Sequence, residues 1–133
     1  MIPLVSKATY KGIPVSDFAE KAHLDQVVSD TMVGGATLTK LLGTSAWYAP
    51  GAAAAMVVES IVNDQKKVIP SCVALNGEYG QEDLYIGVPA VIGRNGVEKV
   101  LEINLTEEEK AEFAKSADAV SKTNDVLKEI GAL

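Results

Sequence analysis

The chain is short of the residue types that carry most enzyme chemistry. In 133 residues it has one cysteine, Cys72, and one histidine, His23. A single cysteine cannot form an internal disulfide, which fits a reducing compartment and a cytoplasmic location. Within the apolar stretch Val68 to Leu75, Cys72 reads as a small core filler. One Cys and one distant His cannot supply a metal site. Lys21, Ala22 and Asp25 surround His23 and mark a surface helix, whereas a Ser-His-Asp hydrolase needs its histidine buried and oriented. Positive charge is also scarce: 12 Lys and Arg stand against 18 Asp and Glu, a net charge of −6. Without a clustered basic face the chain is not expected to bind nucleic acid, and Lys66, Lys67 and Arg94 read as solvated turn charges. No apolar run reaches the length of a membrane span. Met1-Ile2-Pro3-Leu4-Val5 lacks the basic and apolar regions of a signal peptide.

What is present is a core. Hydrophobic residues make up 47% of the chain, enough for one folded domain. Ile2 to Tyr10 is predicted as a strand and Lys11-Gly12 as a turn. Ile13-Pro14-Val15 is extended, because a residue before proline avoids the helical region. Ser16 or Asp17 is expected to cap a helix over Phe18 to Leu24. A second helix is predicted from Asp25 to Leu42, marked by Val28, Met32, Leu38, Leu41 and Leu42. The adjacent glycines Gly34-Gly35 cost about 1 kcal/mol each in a helix interior and suggest a break, a kink or a close approach. Met32 and Met56 are expected in the core.

The most distinctive segment is Thr44 to Ser60. Two hydroxyls, Thr44 and Ser45, precede Trp47 and Tyr48, and Pro50 suits the first turn of a helix because its missing N–H would be unpaired there. The helix, expected over Ala49 to Asn63, shows almost no polar group before Glu59, so it should be hidden on most faces. Its composition fits either a core helix or the wall of a ligand pocket.

A polar turn at Asp64 to Lys67 leads to a strand over Lys67 to Leu75, with Pro70 placing it at an edge or bulge. Asn76-Gly77 predicts a hairpin turn and Tyr79 to Asp83 an extended loop. Leu84 to Gly93 is the next strand, and Arg94-Asn95-Gly96 turns into a third over Val97 to Leu105. Apolar residues on both faces of Val97 to Leu105 imply a sheet covered on one side and partly on the other. Thr106 and Glu109 form a capping box for a last helix, whose stripe Phe113, Ala117, Val120 and Leu127 would pack on the sheet. Ile130 to Leu133 is expected to fray. The fold class is therefore α+β, with antiparallel strands packed with long helices. No Gly-rich loop joins a strand to a helix, so no dinucleotide-binding unit is present. The acidic groups Glu107 to Glu109 and Glu82-Asp83 read as a helix start and a turn.

Three strings carry a family resemblance. Ser45–Ala52, S-A-W-Y-A-P-G-A, resembles G-S-A-Y-Y-A-P-A of malate dehydrogenases of the lactate-dehydrogenase-like type. L-N-G-E-Y-G-Q-E-D-L-Y-I-G-V-P-A-V-I-G (Leu75–Gly93) and G-V-E-K-V-L-E-I-N-L-T-E-E-E (Gly96–Glu109) extend it over essentially the whole chain. Met1-Ile2-Pro3-Leu4 resembles the end of the family's G-G-H-G-D-x-M-[VI]-P-L motif. The resemblance implies a C-terminal, substrate-side domain over residues 1–133, without the NAD-binding domain and with the proton-accepting histidine upstream of Met1. His23 does not match that histidine. The resemblance implies no catalytic residue in this chain. It places Ser45 and Ala46 beside the substrate carboxylate and Pro50 facing the nicotinamide of NAD. The helices on either side of this segment would serve subunit contacts and the inner wall of the active site. Thr44 departs from the family's glycine. The implied reaction of the whole enzyme is reversible oxidation of malate to oxaloacetate in the tricarboxylic acid cycle, by a homo-oligomer acting on a small dicarboxylate. The chain alone is expected to be inactive. A lactate or other 2-hydroxy-acid dehydrogenase half is the alternative within the class. A non-catalytic α+β assembly module is the alternative outside it.

Overall fold

The computed structural model describes residues 1–131. Its backbone clusters into two compact units, one of Met1–Tyr48 with Leu105–Phe113, the other of Ala49–Asn104 with Ala114 onward.

In the first unit, the expected N-terminal strand is replaced by a 3-10 turn at Val5–Lys7 and a two-residue strand β1 (Thr9–Tyr10). β1 pairs antiparallel with β2 (Ile13–Pro14) across Lys11-Gly12, where φ is 50° and 84°. Ile2 to Leu4 precede the turn without regular structure. A second 3-10 turn, Val15–Asp17, stands where a Ser16 or Asp17 cap was expected, and no side chain caps it. Helix α1 then runs unbroken over Lys21–Leu42 and ends at Gly43, in the left-handed region with φ 71°. Gly34-Gly35 neither breaks it nor lets another element in, because nothing lies within 4 Å of either missing Cβ. A cost near 2 kcal/mol for the pair is spread over a helix of six turns. No residue of α1 is buried. Met32, expected in the core, is exposed.

The second unit is built on a three-stranded antiparallel sheet in the order β3-β4-β5. β3 (Lys67–Asn76) is an edge strand, as Pro70 requires, and Pro70 lies opposite Pro89 of β4 (Glu82–Gly93). Odd positions of β3 and even positions of β4 share the inner face: Ile69 pairs with Ala90, Val73 with Ile86, and Leu75 with Leu84, all buried. Each buried aliphatic side chain contributes roughly 1.5–3 kcal/mol. The alternate positions face outward. Cys72 is one of them, opposite Gly87, so it is exposed and not core filler.

The β3–β4 connection is longer than a two-residue turn. Asn76 still pairs with Glu82, Gly77 takes φ 106°, and Glu78–Gly80 form a 3-10 turn with Tyr79 at φ 52°. Arg94-Asn95 make the expected tight turn into β5 (Gly96–Val100). β5 ends five residues early because Tyr79 replaces the ladder. Its hydroxyl donates to Leu101 O at 2.6 Å and accepts from Ile103 N at 3.1 Å.

Helix α2 (Tyr48–Val62) matches the expected span, but its apolar side chains are not hidden. Tyr48, Met56, Val58 and Val62 are all exposed, and Ser60 is its one buried residue. Ser60 Oγ donates to Ile92 O at 2.6 Å and accepts from Lys67 N at 3.3 Å, pinning the last turn of α2 to β3 and β4. Helix α3 (Glu107–Glu129) opens with the predicted capping box: Thr106 N donates to Glu109 at 2.9 Å, and Glu109 N to Thr106 Oγ1 at 3.2 Å. Ala117 is buried, and Phe113, Val120 and Leu127 are half-buried. Of the expected fraying tail, Ala132 and Leu133 lie outside the described residues.

Candidate functional site

The segment singled out by its composition is a short loop feeding a helix. The left-handed Gly43 stops α1 and turns the chain, as glycine does at helix ends. Thr44 to Trp47 follow without regular structure. Ser45 is exposed, with its hydroxyl on a loop between two helices, and Ala46 beside it is half-buried. Trp47 and Tyr48 are 65% and 87% exposed, far more than rings of that size show when they are structural.

Pro50 lies in the first turn of α2, the one helical position that tolerates it. After it, Gly51 and Ala52 to Ala55 are all exposed. Their side chains are no larger than a methyl group, so a flat molecule could come close to the backbone there. From Leu41 to Val58 Tyr48 carries the sole titratable side chain. Such a stretch can shape, orient and exclude water, but it cannot move a proton at neutral pH or neutralise a carboxylate. Charge for an anionic ligand would have to come from elsewhere.

One face of α1 adds a feature that composition did not single out. Asp30, Val33, Gly34, Thr37, Leu38 and Leu41 line an open depression of about 370 Å³. The residues recur at helical spacing, and Gly34 supplies the hollow by lacking a side chain. Leu38 and Leu41 were legible as a stripe; the depression was not, because a glycine leaves no hydropathy signal.

Several titratable groups elsewhere are held by local hydrogen bonds and ion pairs. His23 sits exposed in the first turn of α1. Glu59 has its pKa lowered by a hydrogen bond from Lys67, a second from Gln65, and the charge of Lys67. Glu78 is lowered by the Asn76 N–H and by its own. Lys122 is raised by Asp118, 2.6 Å away. Among the described residues no three His, Cys, Asp or Glu side chains are grouped to hold a metal, and no helix is long and apolar enough to cross a membrane.

Comparison with known proteins converges on one family. The family model for the lactate/malate dehydrogenase alpha/beta C-terminal domain matches residues 1–130. A malate dehydrogenase of Parabacteroides distasonis is 65% identical over 133 residues, all of this chain and 42% of that protein. That of Bacteroides fragilis is 64% identical over the same span. Among solved structures, malate dehydrogenase from Salinibacter ruber superposes with a TM-score of 0.94 at 42% identity, over 98% of this chain and 44% of that one. Lactate dehydrogenase from Eimeria maxima, solved with NADH and oxamate, gives 0.93 at 34% identity, over 98% and 42%. The chain thus spans about 42% of the length of the curated relatives it matches. With its antiparallel sheet, its three long helices and its Ser45–Ala52 string, this chain belongs to the lactate/malate dehydrogenase family, as its alpha/beta C-terminal domain.

Proposed function

We propose that this chain is the C-terminal, substrate-side domain of an NAD-dependent malate dehydrogenase, and that it is inactive without the NAD-binding domain. In the whole enzyme NAD, when bound, would supply the hydride-accepting chemistry for oxidation at C2 of malate. The residues of this chain bind and orient. Ser45 offers a hydroxyl to a carboxylate oxygen of the substrate, and Ala46 beside it leaves room for that group. Pro50 and the methyl-sized residues after it present an uncharged surface to the nicotinamide and keep water from it.

The chain's own residues agree with this division of labour. Among the described residues both sheets are antiparallel, whereas a dinucleotide-binding unit is built on parallel strands with a Gly-rich turn before a helix. Its one histidine is exposed on α1 and does not match the family's proton acceptor, so that acceptor belongs to the remainder of the enzyme.

The observation that carries the reading is the 65% identity to a malate dehydrogenase over the full 133 residues of the chain. The structural likeness to lactate dehydrogenases at 34% identity supports the same reaction class and is the basis of the second reading, a lactate-type substrate. The test is turnover of the full-length parent protein with malate and with lactate, each with NAD. Malate oxidation with little lactate oxidation is expected, and the reverse preference would overturn the substrate assignment. The 133-residue chain alone should show no turnover with either. A cytoplasmic homo-oligomer is part of the same proposal, and the mass of the parent in solution tests the assembly.

A further inference from the structure

Glu109 does more than cap α3. A capping box needs one carboxylate oxygen, and Glu109 Oε2 meets that need by accepting from Thr106 N at 2.9 Å. The second oxygen, Oε1, accepts from Ser6 Oγ at 2.7 Å, across 103 residues of sequence. The Ser6 backbone N–H also donates to this carboxylate, and the Lys7 ammonium adds its charge. Burial alone would raise the Glu109 pKa, but these donors outweigh it and hold the group below the usual carboxylate range. A charge-assisted cluster of this kind is stronger than a neutral contact.

Beside this grip, the segment has the half-burial of Ile2 to Val5 and one bond from Val15 N to Ala8 O at 3.1 Å. The Val5–Lys7 turn buries no residue. Its own backbone bonds, Lys7 N to Leu4 O and Ala8 N to Val5 O, shape the turn but do not tie it to anything distant.

We propose that Glu109 is a positioning residue, whose clasp on Ser6 sets the direction in which the chain runs back from Ser6 through Pro3 to Met1. What it positions rests on the proposed function: there, the stretch preceding Met1 brings the proton acceptor to the substrate. A carboxylate at the start of α3 thereby holds the register of a catalytic segment it does not touch. Misplacing such a segment by about 1 Å costs rate more than affinity.

The test uses S6A, which removes the hydroxyl of an exposed residue and leaves the Thr106–Glu109 cap intact, beside S6T and E109A. Hydrogen exchange at residues 5–8 is followed in the chain, and kcat and KM for malate in the full-length parent. S6A is expected to speed exchange by about 10-fold and E109A by more. In the parent, S6A should lower kcat by about 10-fold with KM within about twofold, and S6T should restore both readouts. Unchanged exchange in S6A and E109A refutes the clasp. Faster exchange with unchanged kcat refutes the positioning role. A parent that does not oxidise malate even unsubstituted refutes the functional reading instead, and the exchange experiment still decides the clasp.

Discussion

The three-stranded sheet and helix α1 both carry many large apolar residues and are treated oppositely by the fold. Along β3 and β4 every second residue from Ile69 to Ile92 that is large and apolar on the inner face is buried. Along the 22 residues of α1 none is, although Val27, Met32, Val33, Leu38, Leu41 and Leu42 all lie on it. The sheet finds its cover inside the chain. The apolar residues of α1 do not, and in the proposed enzyme their cover is supplied by the remaining domain or a second subunit. The difference separates the part of this chain that covers its own apolar residues from the part that does not.

The sharpest way to break the comparison is to truncate one leucine in each region. Leu75, 2% exposed, changed to Ala should cost about 2–5 kcal/mol in urea unfolding of the chain. Leu41, 79% exposed, changed to Ala should cost under about 0.5 kcal/mol. Equal losses would mean that α1 is packed in solution. Next in size is Ser60→Ala. It strands the Ile92 carbonyl and deprives Lys67 N of its acceptor, for a loss of about 1–3 kcal/mol by the same measurement. Tyr79→Phe removes one donor and one acceptor at the end of β5 and should cost about 1–2 kcal/mol, with faster amide exchange at Ile103.

The smallest effect is electrostatic. Glu59 is exposed, and its lowered pKa means that its bonds to Lys67 and Gln65 are present above the ordinary carboxylate range and lost as pH falls through the lowered value. A carbon-detected titration should place its midpoint below that of an unpaired glutamate, moving back toward it in high salt. A midpoint at or above that of an unpaired glutamate would show the Lys67 pair to be absent in solution.

How much of this was legible beforehand depended on the residue. The alternation of β4 and the Arg94-Asn95-Gly96 turn announced their strands, because period-two burial leaves a pattern. The capping box of Thr106 and Glu109 was legible because both partners lie within four residues. Cys72 was misread because alternation tells which residues share a face but not which face is wet when both are apolar. Met32, Met56 and the apolar side of α2 were misread for the same reason: hydropathy records a need for cover, not whether this chain supplies it. Gly34-Gly35 looked like a break because propensity is local, while a 22-residue helix sums many small terms. The β5 strand was overdrawn because the Tyr79 hydroxyl that ends it comes from more than twenty residues away. Ser45, Ala46 and Pro50 were identified by their string alone. No acid, base or ligand chemistry in the segment pointed to them.

The most direct test of the central claim is hydrogen exchange of α1 and β4 amides in the 133-residue chain and in the full-length parent protein. The β4 amides from Leu84 to Ile92 should be slow in both. The α1 amides from Val27 to Leu42 should exchange fast in the chain alone and at least about 10-fold more slowly in the parent. Equal protection of α1 in the two would contradict the claim that its apolar residues find their cover outside this chain.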